Sequence, residues 1–153
     1  MKTQTKALAV ATKIQAAFDE QRQRQTQPRN LIASRLAELA EGGTDFTVEA
    51  LWHDLRATDP HLGRTTVFRA VEMLASRGLL HRIEFADGSH VYRACGDDHH
   101  HHLTCSQCHR VVDVDVCLGE KSLEKVGKQN DFVIEGHTLT LYGLCSDCRK
   151  GAS

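Results

Sequence analysis

The sequence predicts an α+β protein in two parts, and three observations predict it. Apolar residues recur at helical spacing through four successive segments ending near Gly78. A pair of short alternating strands then flanks an Asp87-Gly88 turn. Beyond it the composition changes: of six Cys and ten His, eight fall between Cys95 and His109. With 153 residues, 41% apolar and 25% charged, the chain can bury an ordinary core as one unit or two small domains.

Each element has a local reason. Leu8, Ile14 and Phe18 lie in an amphipathic stretch that predicts a first helix. Pro28 opens a second, with Leu31, Ile32, Leu36 and Leu39 on one stripe and Gly42-Gly43 ending it. Thr47 is placed to cap a third built on Val48, Leu51 and Leu55. The segment from Ala57 to Arg64 carries Asp59-Pro60 and Gly63 and reads as a turn. A fourth helix is expected from about Thr65 to Gly78, with Val67, Val71 and Leu74 inward. His81 to Phe85 and His90 to Arg93 then form a hairpin. Helix, helix, turn, helix and two-stranded wing is the order of a winged helix-turn-helix, a module that reads DNA.

In such a module the fourth helix enters the major groove. Its outward residues include Arg64, Thr66, Phe68 and Arg69. Arginine pairs bidentately with guanine, and an apolar ring sits against a thymine methyl. Arg24, Arg29 and Arg82 are candidates for phosphate or minor-groove contact. The competing reading of each arginine is a solvated helix face. Charge is a mild hint only: residues 1–80 carry a net +2 and residues 81–153 a net −3. No apolar run approaches the ~20 residues that span a bilayer, and the N-terminus lacks the pattern of a secretory signal. A cytoplasmic setting is expected.

Four cysteines form two short pairs, Cys105-Ser106-Gln107-Cys108 and Cys145-Ser146-Asp147-Cys148. Each loop lets two thiolates face one ion, and two such pairs make a tetrahedral structural zinc site. Disulfides are the competing reading, disfavoured in a reducing compartment; a redox C-x-x-C does not normally come twice. Zinc bound here is folding energy for the C-terminal half.

The run Gly63-Arg64-Thr65-Thr66-Val67-Phe68-Arg69 resembles the recognition-helix signature of the ferric uptake regulator (Fur) superfamily. So do His99-His100-His101-His102-Leu103-Thr104-Cys105-Ser106-Gln107-Cys108 and Gly143-Leu144-Cys145-Ser146-Asp147-Cys148, in the family's order and spacing. The resemblance implies a homodimeric, metal-dependent repressor of transcription that binds palindromic operator DNA. Its winged-helix domain would span residues 1–94, a hinge 95–98, and a small α/β dimerisation domain with the four-cysteine zinc site 99–153. Phe68 departs from the Tyr that many members carry, which alters the contacts available for base readout.

The hairpin should bring His81 near Cys95, and His100 and His102 share one face of a short strand. Thiolate with imidazoles suits tetrahedral Zn²⁺, whereas carboxylate-rich six-coordinate sets suit Fe²⁺ or Mn²⁺. The set His81, Cys95, His100 and His102 is similar to the regulatory site of the zinc uptake regulators (Zur) of this family. Iron- and peroxide-sensing relatives tend to carry an acidic residue at the position of Arg93 and a histidine at that of Asn30; neither is present. The opposite face carries His99 and His101, which the resemblance pairs with Glu120 and His137 as a third site. Glu120 also reads as a helix-start carboxylate, and His137 as a buried histidine among apolar strand residues. Cys117 reads as a core thiol.

The expected cofactor is thus zinc, two or three ions per chain. The expected function is zinc-responsive repression of zinc-uptake genes. Within the family the alternatives are sensing of iron, manganese, nickel or peroxide; outside it, a zinc buffer or metallochaperone. No H-x-E or H-E-x-x-H appears, so no zinc hydrolase or deaminase is expected.

Overall fold

The structure, a computed structural model, describes residues 2–20, 26–95 and 99–151. It divides into two compact units: residues 1–83 with 90–98, and residues 84–89 with 99–153. No described helix is long and apolar enough to cross a membrane.

The first unit holds four helices and most of a two-stranded sheet. Helices α1 (Lys2–Glu20) and α2 (Gln27–Gly42) pack together, α3 (Val48–Arg56) packs on α4 (Arg64–Ser76), and β1 (Leu80–Glu84) pairs with β2 (His90–Ala94). The inward stripe of α1 is Val10, Ile14, Ala17 and Phe18, whereas Leu8 is 70% exposed. Residue 8 precedes 14 by six positions, about 240° of helical rotation, so it cannot share the stripe that 10, 14 and 18 define. On α2, Ile32 and Leu36 are fully buried and Leu31 and Leu39 partly so.

The caps follow the sequence. Gly43 takes a left-handed φ of 59°, its N–H donating to Ala40 O at 3.2 Å, and the Thr44 N–H donates to Leu39 O at 2.9 Å. Thr47 Oγ1 accepts from the Ala50 N–H at 3.1 Å and starts α3. The turn to α4 is tied by Trp52 Nε1, which donates to Leu62 O at 2.9 Å. Helix α4 begins one residue earlier than the sequence suggests, at Arg64, and stops at Ser76 with Gly78 in the left-handed region beyond it. Phe46 and Tyr92 exchange backbone hydrogen bonds of 2.9 and 2.7 Å, adding a bridge to the wing.

The second unit is a three-stranded sheet of order β4-β3-β5, with β3 (His101–Cys105) antiparallel to β4 (Val111–Val114) and parallel to β5 (Thr140–Gly143). Helix α5 (Glu120–Asn130) lies in the connection between β4 and β5, and α6 (Ser146–Gly151) follows β5. Strand β4 stops at Val114, before the apolar residue Val116. The segment holding His137 is not a strand; β5 starts only at Thr140.

The contiguous hydrophobic cluster belongs wholly to the first unit. In the second, the buried positions of β3 are His101, His102, Thr104 and Cys105. Close packing appears once at the end of α5. A Cβ on buried Gly127 would stand 2.6 Å from the Phe132 carbonyl oxygen, and the Phe132 N–H donates to Gly127 O at 2.9 Å. That backbone cannot yield locally. Gly127→Ala is therefore expected to cost ~1–3 kcal/mol as overpacking, read as a lower melting temperature with metal content held constant.

Candidate metal centres and nucleic-acid interface

Helix α4 presents Arg64, Thr65, Thr66, Phe68 and Arg69 to solvent, while Val67, Ala70, Val71 and Leu74 point inward. The apolar Phe68 is 50% exposed, unusual for a ring with a buried stripe on its own helix. The Arg64 guanidinium is steered by Glu49 of α3 through a 2.7 Å ion pair. Arg29 lies over the Phe18 ring at 6.0 Å, and Arg82 Nη2 stands 3.5 Å from His90 Nδ1. Arg24 lies outside the described residues.

Arg93 does not point a lone positive charge anywhere. It grips Asp45, with Nη2 to Oδ2 at 2.8 Å, and its side chain is largely buried. The place where iron-sensing members are expected to carry a carboxylate is thus occupied by a cation in an internal ion pair. Asn30 is exposed on α2.

The sulfurs of Cys105, Cys108, Cys145 and Cys148 gather within 4.8 Å of one another. All are free thiols, and the Cys108 and Cys145 sulfurs are 3.7 Å apart, far beyond a disulfide bond. Local backbone builds the pocket. The Cys105 N–H donates to Arg110 O at 2.9 Å and the His109 N–H to Cys105 O at 3.0 Å, closing the first knuckle with His109 at φ 59°. His109 stacks on Phe85 at 4.3 Å and pairs with Asp87 at 3.2 Å. The second knuckle follows β5, which runs parallel to β3 and so carries Cys145 to Cys105; the Cys145 N–H donates to Cys105 Sγ at 3.4 Å. Donation from the backbone N–H of Cys145, then those of Cys108 and Gln107, lowers the Cys105 thiol to about 6. The crowd of neighbouring thiols, Cys145 foremost, pushes Cys148 up to about 12. Four sulfurs this close ionise together only around a cation, and four thiolates at tetrahedral spacing fit Zn²⁺.

Around β3 the pleat sorts four consecutive histidines. His100 and His102 fall together, their rings perpendicular at 5.0 Å, and Asp113 on β4 faces His102 directly in the register, with Oδ1 3.2 Å from His102 Nδ1. A carboxylate there fixes the ring and leaves Nε2 to serve as ligand. In the first unit, His81 on β1 and Cys95 just after β2 bring a ring nitrogen and a buried sulfur within 4.8 Å of each other.

The other parity forms a second group. His99, His101, Cys117 and His137 bring their donor atoms within 4.8 Å of one another. Buried His101 is held below the usual histidine range by desolvation first and by neighbouring His99 and His137 second, which disfavours its protonated form. Glu120, expected as the fourth member, stands outside this group. It opens α5, where a carboxylate favours the helix N-terminus, and lines a cavity of about 940 Å³ together with His99, Cys117 and His137. Cys117 is exposed rather than a core thiol. The signal that would have found it is register: His101 pairs antiparallel with Val114, so the chain just beyond Val116 returns to the level of His99.

The model of the ferric uptake regulator family matches residues 20–142. Over 106 residues the chain is 36% identical to a ferric uptake regulation protein of Bordetella parapertussis, covering 69% of this chain and 76% of that one. Over 128 residues it is 35% identical to a zinc uptake regulation protein of Mycobacterium tuberculosis, covering 83% and 95%. The solved structure of the Helicobacter pylori ferric uptake regulator shares its fold, with a TM-score of 0.69 at 16% identity and 94% of each chain covered.

Proposed function

We propose that this chain, which belongs to the ferric uptake regulator family, represses transcription in response to zinc. Members are metal-dependent transcription regulators, not enzymes, that bind operator DNA as homodimers. Relatives of similar identity carry both iron and zinc names, so the metal must be argued from the donors.

One observation carries zinc. The donors gathered within each unit are imidazoles and thiols: His81 with Cys95, His100 with His102, the group around His101, and the four cysteines. Among the described residues a carboxylate belongs to none of them, and Asp45, beside the wing, is paired with Arg93. Soft thiolates with imidazoles favour zinc over iron or manganese.

In this reading His81, Cys95, His100 and His102 are the four donors of one regulatory zinc. Two come from each unit, so filling the site favours one arrangement of the winged helices across a dimer, the one that fits two halves of a palindrome. Zinc supplies the tie, Asp113 orients His102, and the exposed face of α4 reads bases. On the second unit's sheet, Val112, Leu103 and Leu141 lie in register and each is about 40% exposed, an apolar row suited to a second copy. Zinc scarcity releases the operator, and zinc-uptake genes are the fitting targets. The setting is the cytoplasm, where such DNA lies.

The test is operator binding titrated against buffered free zinc, with Fe²⁺ and Mn²⁺ as competitors. Binding that rises selectively with zinc supports the reading; activation by Fe²⁺ or Mn²⁺ at lower free concentration overturns it. The same assay checks the reading helix. Arg64→Ala should weaken operator binding about 10- to 100-fold and relax base preference at one position, with zinc affinity unchanged.

A further inference from the structure

We propose that Cys117, not Glu120, completes a zinc site of one cysteine and three histidines with His99, His101 and His137. His99 Nε2 lies 3.1 Å from His101 Nε2 and 3.3 Å from Cys117 Sγ. His137 Nε2 lies 3.3 Å from both Cys117 Sγ and His101 Nε2. Zinc bonds of about 2.0–2.1 Å to nitrogen and 2.3 Å to sulfur give tetrahedral edges of about 3.4 Å (N···N) and 3.5 Å (N···S). Four of the six edges are therefore in place.

Hydrogen bonds bridge the same atoms when tautomers alternate around the ring, with the Cys117 thiol turned to Leu118 O. What favours a metal is that four soft donors close on one common centre at near-tetrahedral edges. One cation in the middle satisfies all four donors at once. Filling the site converts the Cys117 thiol to a zinc thiolate and releases its proton to solvent. Sulfur in place of a carboxylate also shifts the site toward zinc and away from harder cations. Cys117 sits after β4 on an exposed connection and borders the cavity that Glu120 lines, so zinc can reach it from solvent.

The experiment is a Co²⁺ titration of the full-length Cys95→Ser variant whose four-cysteine site keeps its zinc, with released zinc monitored. Removing Cys95 leaves Cys117 as the one thiol outside the four-cysteine site. A sulfur-to-cobalt charge-transfer band from a single thiolate is expected, kept in Cys95→Ser/Glu120→Gln and lost in Cys95→Ser/Cys117→Ser. In the unmutated protein, zinc loading should slow alkylation of Cys117 by about tenfold or more, because a ligated thiolate is a poor nucleophile. Absence of the band in Cys95→Ser, its loss with Glu120→Gln alone, or alkylation indifferent to zinc overturns the proposal. Each readout is independent of operator binding, so this site and the regulatory reading stand or fall separately.

Discussion

Replacing Cys105 by serine is expected to strip the structural zinc and unfold the second unit while the first stays folded. The asymmetry comes from where the apolar material lies. The first unit buries Ile14, Ile32, Leu36, Leu51, Val67, Val71 and Leu74 in one cluster. The second buries two histidines, a threonine and a cysteine along β3, with strands of four or five residues. Such a sheet has too little hydrophobic surface to offset its chain entropy, so metal ligation takes that role. Structural zinc contributes on the order of 10 kcal/mol to small domains, more than the whole stability of many of them. The backbone N–H groups of Cys145, Cys108 and Gln107 converge on the Cys105 sulfur; a serine oxygen there is neither a thiolate nor a comparable zinc ligand. Circular dichroism should lose strand signal, and metal analysis should show at least one zinc fewer per chain, because His99 to His102, Cys117 and His137 belong to the same unit. A Cys105→Ser protein with unchanged melting and zinc content would sink the structural assignment.

Cys95→Ser is expected to act on function and leave the fold alone. Cys95 is buried just after β2 but is not part of the hydrophobic cluster, and serine nearly matches its size, so the substitution removes a metal donor without opening a cavity. Operator affinity at saturating zinc should fall about 100-fold, near the upper range of allosteric coupling, to the level of the unmutated protein without regulatory zinc. Reciprocity gives the second readout. Operator DNA should tighten zinc binding in the unmutated protein by the factor by which zinc tightens operator binding, and should have no such effect in Cys95→Ser. An unchanged zinc midpoint for operator binding in the variant would remove Cys95 from the mechanism.

What is legible in the sequence is what local chemistry writes. Thr47, Gly43 and Gly78 mark helix ends because caps act within one turn, and each does so in the structure. The paired knuckles are legible because each is a closed unit of four residues. The alternation of His99 to His102 follows from the pleat alone. What stays hidden depends on register between distant segments. Leu8 is apolar yet faces outward, because the partner helix α2 chooses which stripe of α1 is buried. Cys117 reads as a core thiol because its partners lie 16 to 20 residues away, and only the pairing of β3 with β4 brings its sulfur to His99. Glu120 rests on resemblance; in this chain the helix it opens starts three residues after the thiol that reaches the histidines.

The alternation along His99 to His102 has a consequence for how this protein can change over time. Adjacent side chains of one strand belong to different donor groups, so position along the strand works as a reading frame with a period of two. Exchanging one histidine for another residue damages one group. Inserting a single residue between His100 and His101, where the strand begins, does more: it reassigns both upstream histidines to the opposite face and scrambles both groups at once. The segment should therefore accept substitutions far more readily than single-residue length changes, whereas an insertion of two restores the parity and returns each donor to its own side.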